Sequence, residues 1–140
     1  DGAPVTKITE EIAKEYLIHL IIAKNFAHQI ESDYAEVISV DVENDSADYY
    51  ITNRVKQNDI VVTQDYGLAS LCLLKNASPI SQNGLIFTNE NIDSLLNRRY
   101  VHAKLRSQNK KHQNQKKRTS SDDDKYVKSL VLLIKNNLSL

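Results

Sequence analysis

Asp59-Ile-Val-Val-Thr-Gln-Asp-Tyr-Gly-Leu-Ala-Ser70 is a short β-branched run that stops on a carboxylate and turns directly into an apolar helical pattern. Ile60, Val61 and Val62 are consecutive, as in a parallel strand covered on both faces, and Leu68, Leu71 and Cys72 then recur at helical spacing. Asp65 therefore closes a strand. In open α/β sheets the carboxyl ends of the strands are where loops diverge and ligands bind, so the stretch predicts a carboxylate at a binding rim.

Outward from this stretch the pattern alternates. Thr6 to Tyr16 reads as a helix with Ile8 and Ile12 on one face, Leu17 to Lys24 as a strand, and Val37 to Val42 as a second strand. Ser46 to Lys56 is a helix with Ala47, Ile51 and Val55 in line, capped by Asp45 or Ser46, and Tyr66 to Lys75 is another. Pro79-Ile80 and Leu85 to Phe87 are short extended pieces around a turn at Asn83-Gly84, after which Thr88 caps a helix reaching toward Arg106. Strands alternating with helices predict an α/β fold with a mainly parallel sheet. Residues 107–121 lack aliphatic side chains and read as a linker. Residues 122–140 then read as a C-terminal helix, with Asp122 to Asp124 at its start and Tyr126, Leu130, Leu133 and Ile134 forming a stripe that packs on the domain or on a partner.

The 140 residues suit one domain, and 41% apolar with 26% charged residues is ordinary for a soluble protein. The longest apolar run, Leu17 to Ala23, is interrupted by His19 and is far shorter than the roughly 20 residues a spanning helix needs. Cys72 is the only cysteine and sits on the apolar side of its helix, which predicts a core residue and a reducing, cytoplasmic setting. Only three glycines occur, with no phosphate loop among them, and no Ser–His–Asp pattern surrounds Ser70, which sets P-loop and serine-hydrolase chemistry aside.

A formal net charge of zero hides a division. Residues 1–93 carry 6 Lys and Arg against 15 Asp and Glu, whereas residues 94–121 carry 9 basic residues and no acidic one. The basic arm includes Arg98, Arg99, Lys104, Arg106, Lys110 and Lys111, and suits contact with a polyanion such as RNA; a solvated helix face with a tail is the plain alternative.

On the acidic side, Asp1 precedes the first helix, Asp41 closes the second strand, Asp45 and Asp48 open the next helix, and Asp65 closes the following strand. Carboxylates gathered on one rim repel one another, and a hard cation such as Mg²⁺ or Mn²⁺ relieves the repulsion through oxygen ligands. The same positions are also ordinary places for caps and turns. Tyr66 admits base stacking or packing across the helix start, and His19 reads as a satisfied strand histidine.

Asp1-Gly-Ala-Pro-Val5, Asp45-Ser-Ala-Asp48-Tyr-Tyr-Ile51, Ile60-Val-Val-Thr-Gln-Asp65-Tyr-Gly-Leu-Ala69 and Arg98-Arg-Tyr-Val-His-Ala-Lys-Leu-Arg106 together resemble the YaiI/YqxD family of uncharacterised bacterial proteins. The resemblance implies a PIN-like three-layer sandwich over residues 1–106, a grouping whose members are commonly metal-dependent nucleases, and it supports Asp1, Asp45, Asp48 and Asp65 as the catalytic and metal-binding set. Asp41 is less supported. Where the family reads Asp-Ala-Cys-Pro-Val after a hydrophobic strand, this chain opens at Asp1 and carries Gly2 and Ala3, which implies a first strand missing upstream and argues against thiol chemistry. The linker is rich in Lys, Gln and Asn rather than Gly and Pro. These readings converge on hydrolysis of RNA phosphodiesters, with a non-catalytic RNA- or protein-binding module, and a small phosphatase acting on nucleotides, as alternatives.

Overall fold

The computed structural model describes residues 4–25, 29–40, 46–109 and 117–138. The fold is mixed α/β, with short parallel strands and five helices among these residues. The chain divides into two compact units, residues 1–56 and 57–140.

The first unit contains α1 (Thr6–Glu15), β1 (Ile21–Asn25), β2 (Glu36–Val40) and α2 (Ser46–Arg54). Strands β1 and β2 pair in parallel, Ile21 opposite Glu36 through Asn25 opposite Val40, and α2 packs on both. Val5, Ile12 and Ala13 are buried, which accounts for the apolar face of α1. The connection to β2 is held by Tyr34, whose hydroxyl lies on the carbonyl oxygens of Ala13 (3.3 Å) and Ile18. Ser32 Oγ accepts from the amides of Tyr34 (3.2 Å) and Ala35 (2.8 Å), a side-chain turn that starts the strand.

The strand expected from Leu17 begins only at Ile21, because residues 16–18 are spent ending the helix. Leu17 adopts φ 56°, its amide donates to Lys14 O (3.3 Å), and the Ile18 amide reaches back to Ala13 O (2.8 Å). This is a Schellman closure with leucine where glycine is the usual occupant. The left-handed conformation strains a side-chain-bearing residue by about 1–2 kcal/mol. Leu17 is 87% exposed and recovers little of that through burial. Leu17→Gly is therefore expected to stabilise the chain, by roughly 0.5–1 kcal/mol once the extra freedom of the unfolded glycine is counted, as a raised urea midpoint with unchanged slope.

The second unit contains β3 (Ile60–Val62), α3 (Tyr66–Leu74), β4 (Ser78–Ile80), α4 (Ile92–Asn109) and α5 (Ser120–Asn137). β3 and β4 are parallel, with Ile60, Val61 and Val62 opposite Ser78, Pro79 and Ile80. Proline is tolerated at Pro79 because its carbonyl, not an amide, is used: Phe87 N donates to Pro79 O at 3.0 Å. Helix α3 ends in a second Schellman closure, here on Asn76 at φ 60°, a residue that tolerates the left-handed region better than leucine.

After β4 the chain reverses. Gly84 N donates to Ser81 O (3.1 Å), Ser81 N to Leu85 O (2.8 Å), and Ile80 bridges Ile86 in antiparallel fashion. Gly84 takes φ 86°, as the last residue of such a tight loop requires, in agreement with the turn expected at Asn83-Gly84. Thr88 then starts α4 through a reciprocal pair: its amide donates to Asn91 Oδ1 (2.9 Å) and Asn91 N to Thr88 Oγ1 (3.2 Å). Ala69, Phe87, Ile92 and Leu95 form a buried cluster joining α3 to α4, with Tyr66, Leu73 and Leu96 against it.

Helix α5 packs on β4 and buries Tyr126, Leu130, Leu133 and Ile134, the same four residues as the sequence stripe. It begins at Ser120, ahead of the expected acidic start, and Asp122 turns back to accept from Thr119 N at 2.9 Å. That amide holds the Asp122 carboxyl below the usual carboxylate range.

Candidate functional site

Asp65 is placed by three local causes. β3 ends at Val62, Thr63 is buried and its Oγ1 accepts from the Asp65 amide (3.0 Å), and Asp65 in extended conformation becomes the N-cap of α3. Its Oδ1 accepts from Leu68 N at 3.0 Å. The carboxylate therefore stands at a strand's carboxyl end on a helix N-terminus, where unpaired amides and the helix dipole favour negative charge. Gly67 follows two residues later, and a β-carbon there would lie 3.1 Å from Asp65 Oδ1, so the small residue leaves the carboxylate its place.

Asp48 is the third residue of α2, inside the first turn rather than at the cap, and is half-buried. Asp1, Asp41 and Asp45 lie outside the described residues, as do Lys110 and Lys111. Among the described residues no three His, Cys, Asp or Glu side chains form a metal-holding group. Of the basic arm, Arg98 and Lys104 are exposed on α4 beside exposed Tyr100 and Leu105, and Arg99 and Arg106 belong to the same helix.

The remaining candidates resolve into packing. Tyr66 meets Phe87 edge-on, centroids 5.6 Å apart at 63°, so its ring serves the α3–α4 core rather than an open stacking platform. Cys72 is fully buried, as its helical position predicted. His19 lies ahead of β1 rather than in a strand, because the Schellman turn delays pairing, and its Nε2 stands 2.9 Å from Glu36 Oε2. Arg54 joins the same carboxylate at 3.7 Å and also bonds the Tyr50 hydroxyl. This exposed group links the start of β2 to α2, and its contribution to stability is small.

Sequence reasoning missed the residues that hold the Asp65 loop. Gln64 Oε1 accepts from Gln82 N (3.0 Å), and Arg118 bonds Gln82 O through Nη2 (2.7 Å), Asn83 Oδ1 through Nη1 (2.9 Å) and Asp123 Oδ1 through Nε (2.6 Å). Arg118 is the last cation of the 94–121 run and stands immediately before Thr119, the N-cap of α5.

Comparison with known proteins places these features in a family context. A family model described as "Uncharacterized BCR, YaiI/YqxD family" matches residues 1–136. The chain is 43% identical over 138 residues to a UPF0178 protein of Alkaliphilus oremlandii, covering 99% of this chain and 89% of that one. It is 41% identical over 140 residues to a UPF0178 protein of Natranaerobius thermophilus, covering 98% and 95%, and 40% identical over 139 residues to one of Lachnoclostridium phytofermentans. No solved structure matches.

Proposed function

The chain belongs to the YaiI/YqxD family of uncharacterised proteins, and from that premise we propose that it is a metal-dependent nuclease of PIN-like three-layer fold that hydrolyses RNA phosphodiester bonds in the cytoplasm. The observation that carries this reading is Asp65, a half-buried carboxylate at the carboxyl end of β3, presented on the N-terminus of α3. Asp48, in the first turn of α2, is a second half-buried carboxylate near a helix start.

The proposed ligand set is Asp1, Asp45, Asp48 and Asp65. All four are hard oxygen donors, the donor chemistry that suits Mg²⁺ or Mn²⁺. When bound, such an ion lowers the pKa of a water and neutralises charge on the phosphate oxygens. The protein's own part is to fix the carboxylates and to hold the substrate backbone. The exposed cations of α4, Arg98 and Lys104, with Arg99, Arg106, Lys110 and Lys111 of the same basic run, suit phosphate contact without sequence selection.

A specific observation also favours a second reading, a non-catalytic RNA- or protein-binding module. The Oδ1 atom of Asp65 is already engaged as a cap, which is a sufficient structural reason for an aspartate at that position.

Incubation with end-labelled single-stranded RNA separates the two. The nuclease reading expects fragments with Mn²⁺ and none with excess EDTA, and binding that weakens with salt by roughly 0.7 log units per neutralised phosphate for each tenfold rise. Salt-sensitive binding without fragments selects the module, and neither binding nor cleavage removes RNA from both.

A further inference from the structure

We propose that Arg118 is a positioning residue for Asp65, joining the end of the basic linker to the carboxylate loop through Gln82 and Gln64. The role in turnover rests on the nuclease reading above; the mechanical link does not.

The linker's basic run ends in Lys116, Lys117 and Arg118, but the last two differ in kind. Lys117 is exposed, whereas the Arg118 side chain is 22% exposed and commits Nε, Nη1 and Nη2 to Asp123, Asn83 and Gln82. A guanidinium engaged on three sides is a clamp on the 81–84 turn rather than a ligand for phosphate. Gln82 transmits the constraint across a single residue: its carbonyl accepts from Arg118, and its amide donates to Gln64 Oε1 at 3.0 Å.

Gln64 is the residue before Asp65, and it lies between two fixed points. On one side Thr63 N donates to Ile80 O (2.9 Å); on the other the Asp65 amide donates to Thr63 Oγ1 and Asp65 Oδ1 receives Leu68 N. The Gln64 side chain is exposed, and its bond to Gln82 sets the loop against the turn. Loss of Arg118 leaves the 81–84 turn without its guanidinium brace and lets that bond open. The bond from Leu68 N to the carboxylate then opens more often and the carboxylate's direction is less fixed, an error that costs rate more than affinity.

The test uses the full chain and compares Arg118→Gln, Arg118→Lys and Lys117→Gln. Amide hydrogen exchange at Gln82, Asp65 and Leu68 is expected to quicken about fivefold in Arg118→Gln, with the β3–β4 ladder amides unchanged. Arg118→Lys, which keeps the charge but gathers its donors on a single nitrogen, is expected to fall between, and Lys117→Gln to match the parent. On RNA, Arg118→Gln is expected to lower kcat with KM little changed. Unchanged exchange at Asp65 and Leu68 overturns the proposal, as does a uniform rise across residues 57–138, which would mean general loosening. Quickened local exchange in a chain that cleaves no RNA keeps the link and removes its catalytic purpose; cleavage with kcat and exchange both indifferent to Arg118→Gln removes the link and its purpose and leaves the nuclease reading standing.

Discussion

Gly84→Ala is expected to lower stability by about 3 kcal/mol, because two penalties fall on one methyl group. Gly84 sits at φ 86°, where a side chain costs about 1–2 kcal/mol on backbone grounds alone. A β-carbon there would also stand 2.5 Å from Lys125 O and 2.7 Å from Lys125 C, both main-chain atoms of α5. Main-chain atoms of a helix do not swing aside as a side-chain tip does, so either the turn or the helix must shift. Such a shift breaks the bond from Ser129 Oγ to Gly84 O (2.7 Å) and disturbs the seating of Tyr126, which is fully buried. The expected reading is a fall in Tm of roughly 10 °C by circular dichroism. Ser129→Ala, which removes the hydrogen bond without the collision, is expected to cost only about 1 kcal/mol. A Gly84→Ala fall no larger than that of Ser129→Ala would show that α5 does not lie so closely over the turn.

That turn also shows where the sequence is readable. Asn83-Gly84 between apolar runs signals a reversal through local chemistry, and the reversal is there. Tyr126, Leu130, Leu133 and Ile134 are legible for a similar reason: helical spacing of large apolar side chains has few solutions except burial on one face. Leu17 misleads because its composition is that of a strand while its conformation is dictated by the end of α1, a demand made by the backbone rather than by the side chain. Arg118 is illegible for the opposite reason. Nothing in a run of cations distinguishes the one that folds onto a turn 36 residues away along the chain from those that face water. Asp65 lies between these cases. Its position at the end of β3 follows from the β-branched run before it, and its cap follows from the helix after it. Neither pattern carries the identity of the other groups that would share its charge.

Asp65→Asn is expected to abolish metal-dependent RNA cleavage, a loss on the order of a hundredfold or more in initial rate, while leaving Tm nearly unchanged. The substitution is informative because the two roles of Asp65 make different demands. As an N-cap it needs only an oxygen that accepts Leu68 N, and asparagine supplies that as well as aspartate does. Gly67 has no β-carbon, so the amide oxygen of asparagine can take the place of Asp65 Oδ1, which a β-carbon there would approach to 3.1 Å. As a ligand for a hard cation it needs negative charge, which asparagine lacks. Asp65→Ala removes both and is expected to lose about 1 kcal/mol of stability along with the activity, since the helix then begins with an unsatisfied amide. Initial rates with Mn²⁺ and thermal melts of the three proteins decide the matter together. Cleavage by Asp65→Asn within threefold of the parent, with only Asp65→Ala destabilised, would leave Asp65 a cap and nothing more. Loss of cleavage at unchanged Tm would mean that a charge not needed by the fold is needed by the reaction, which is the property that separates a ligand from a turn residue.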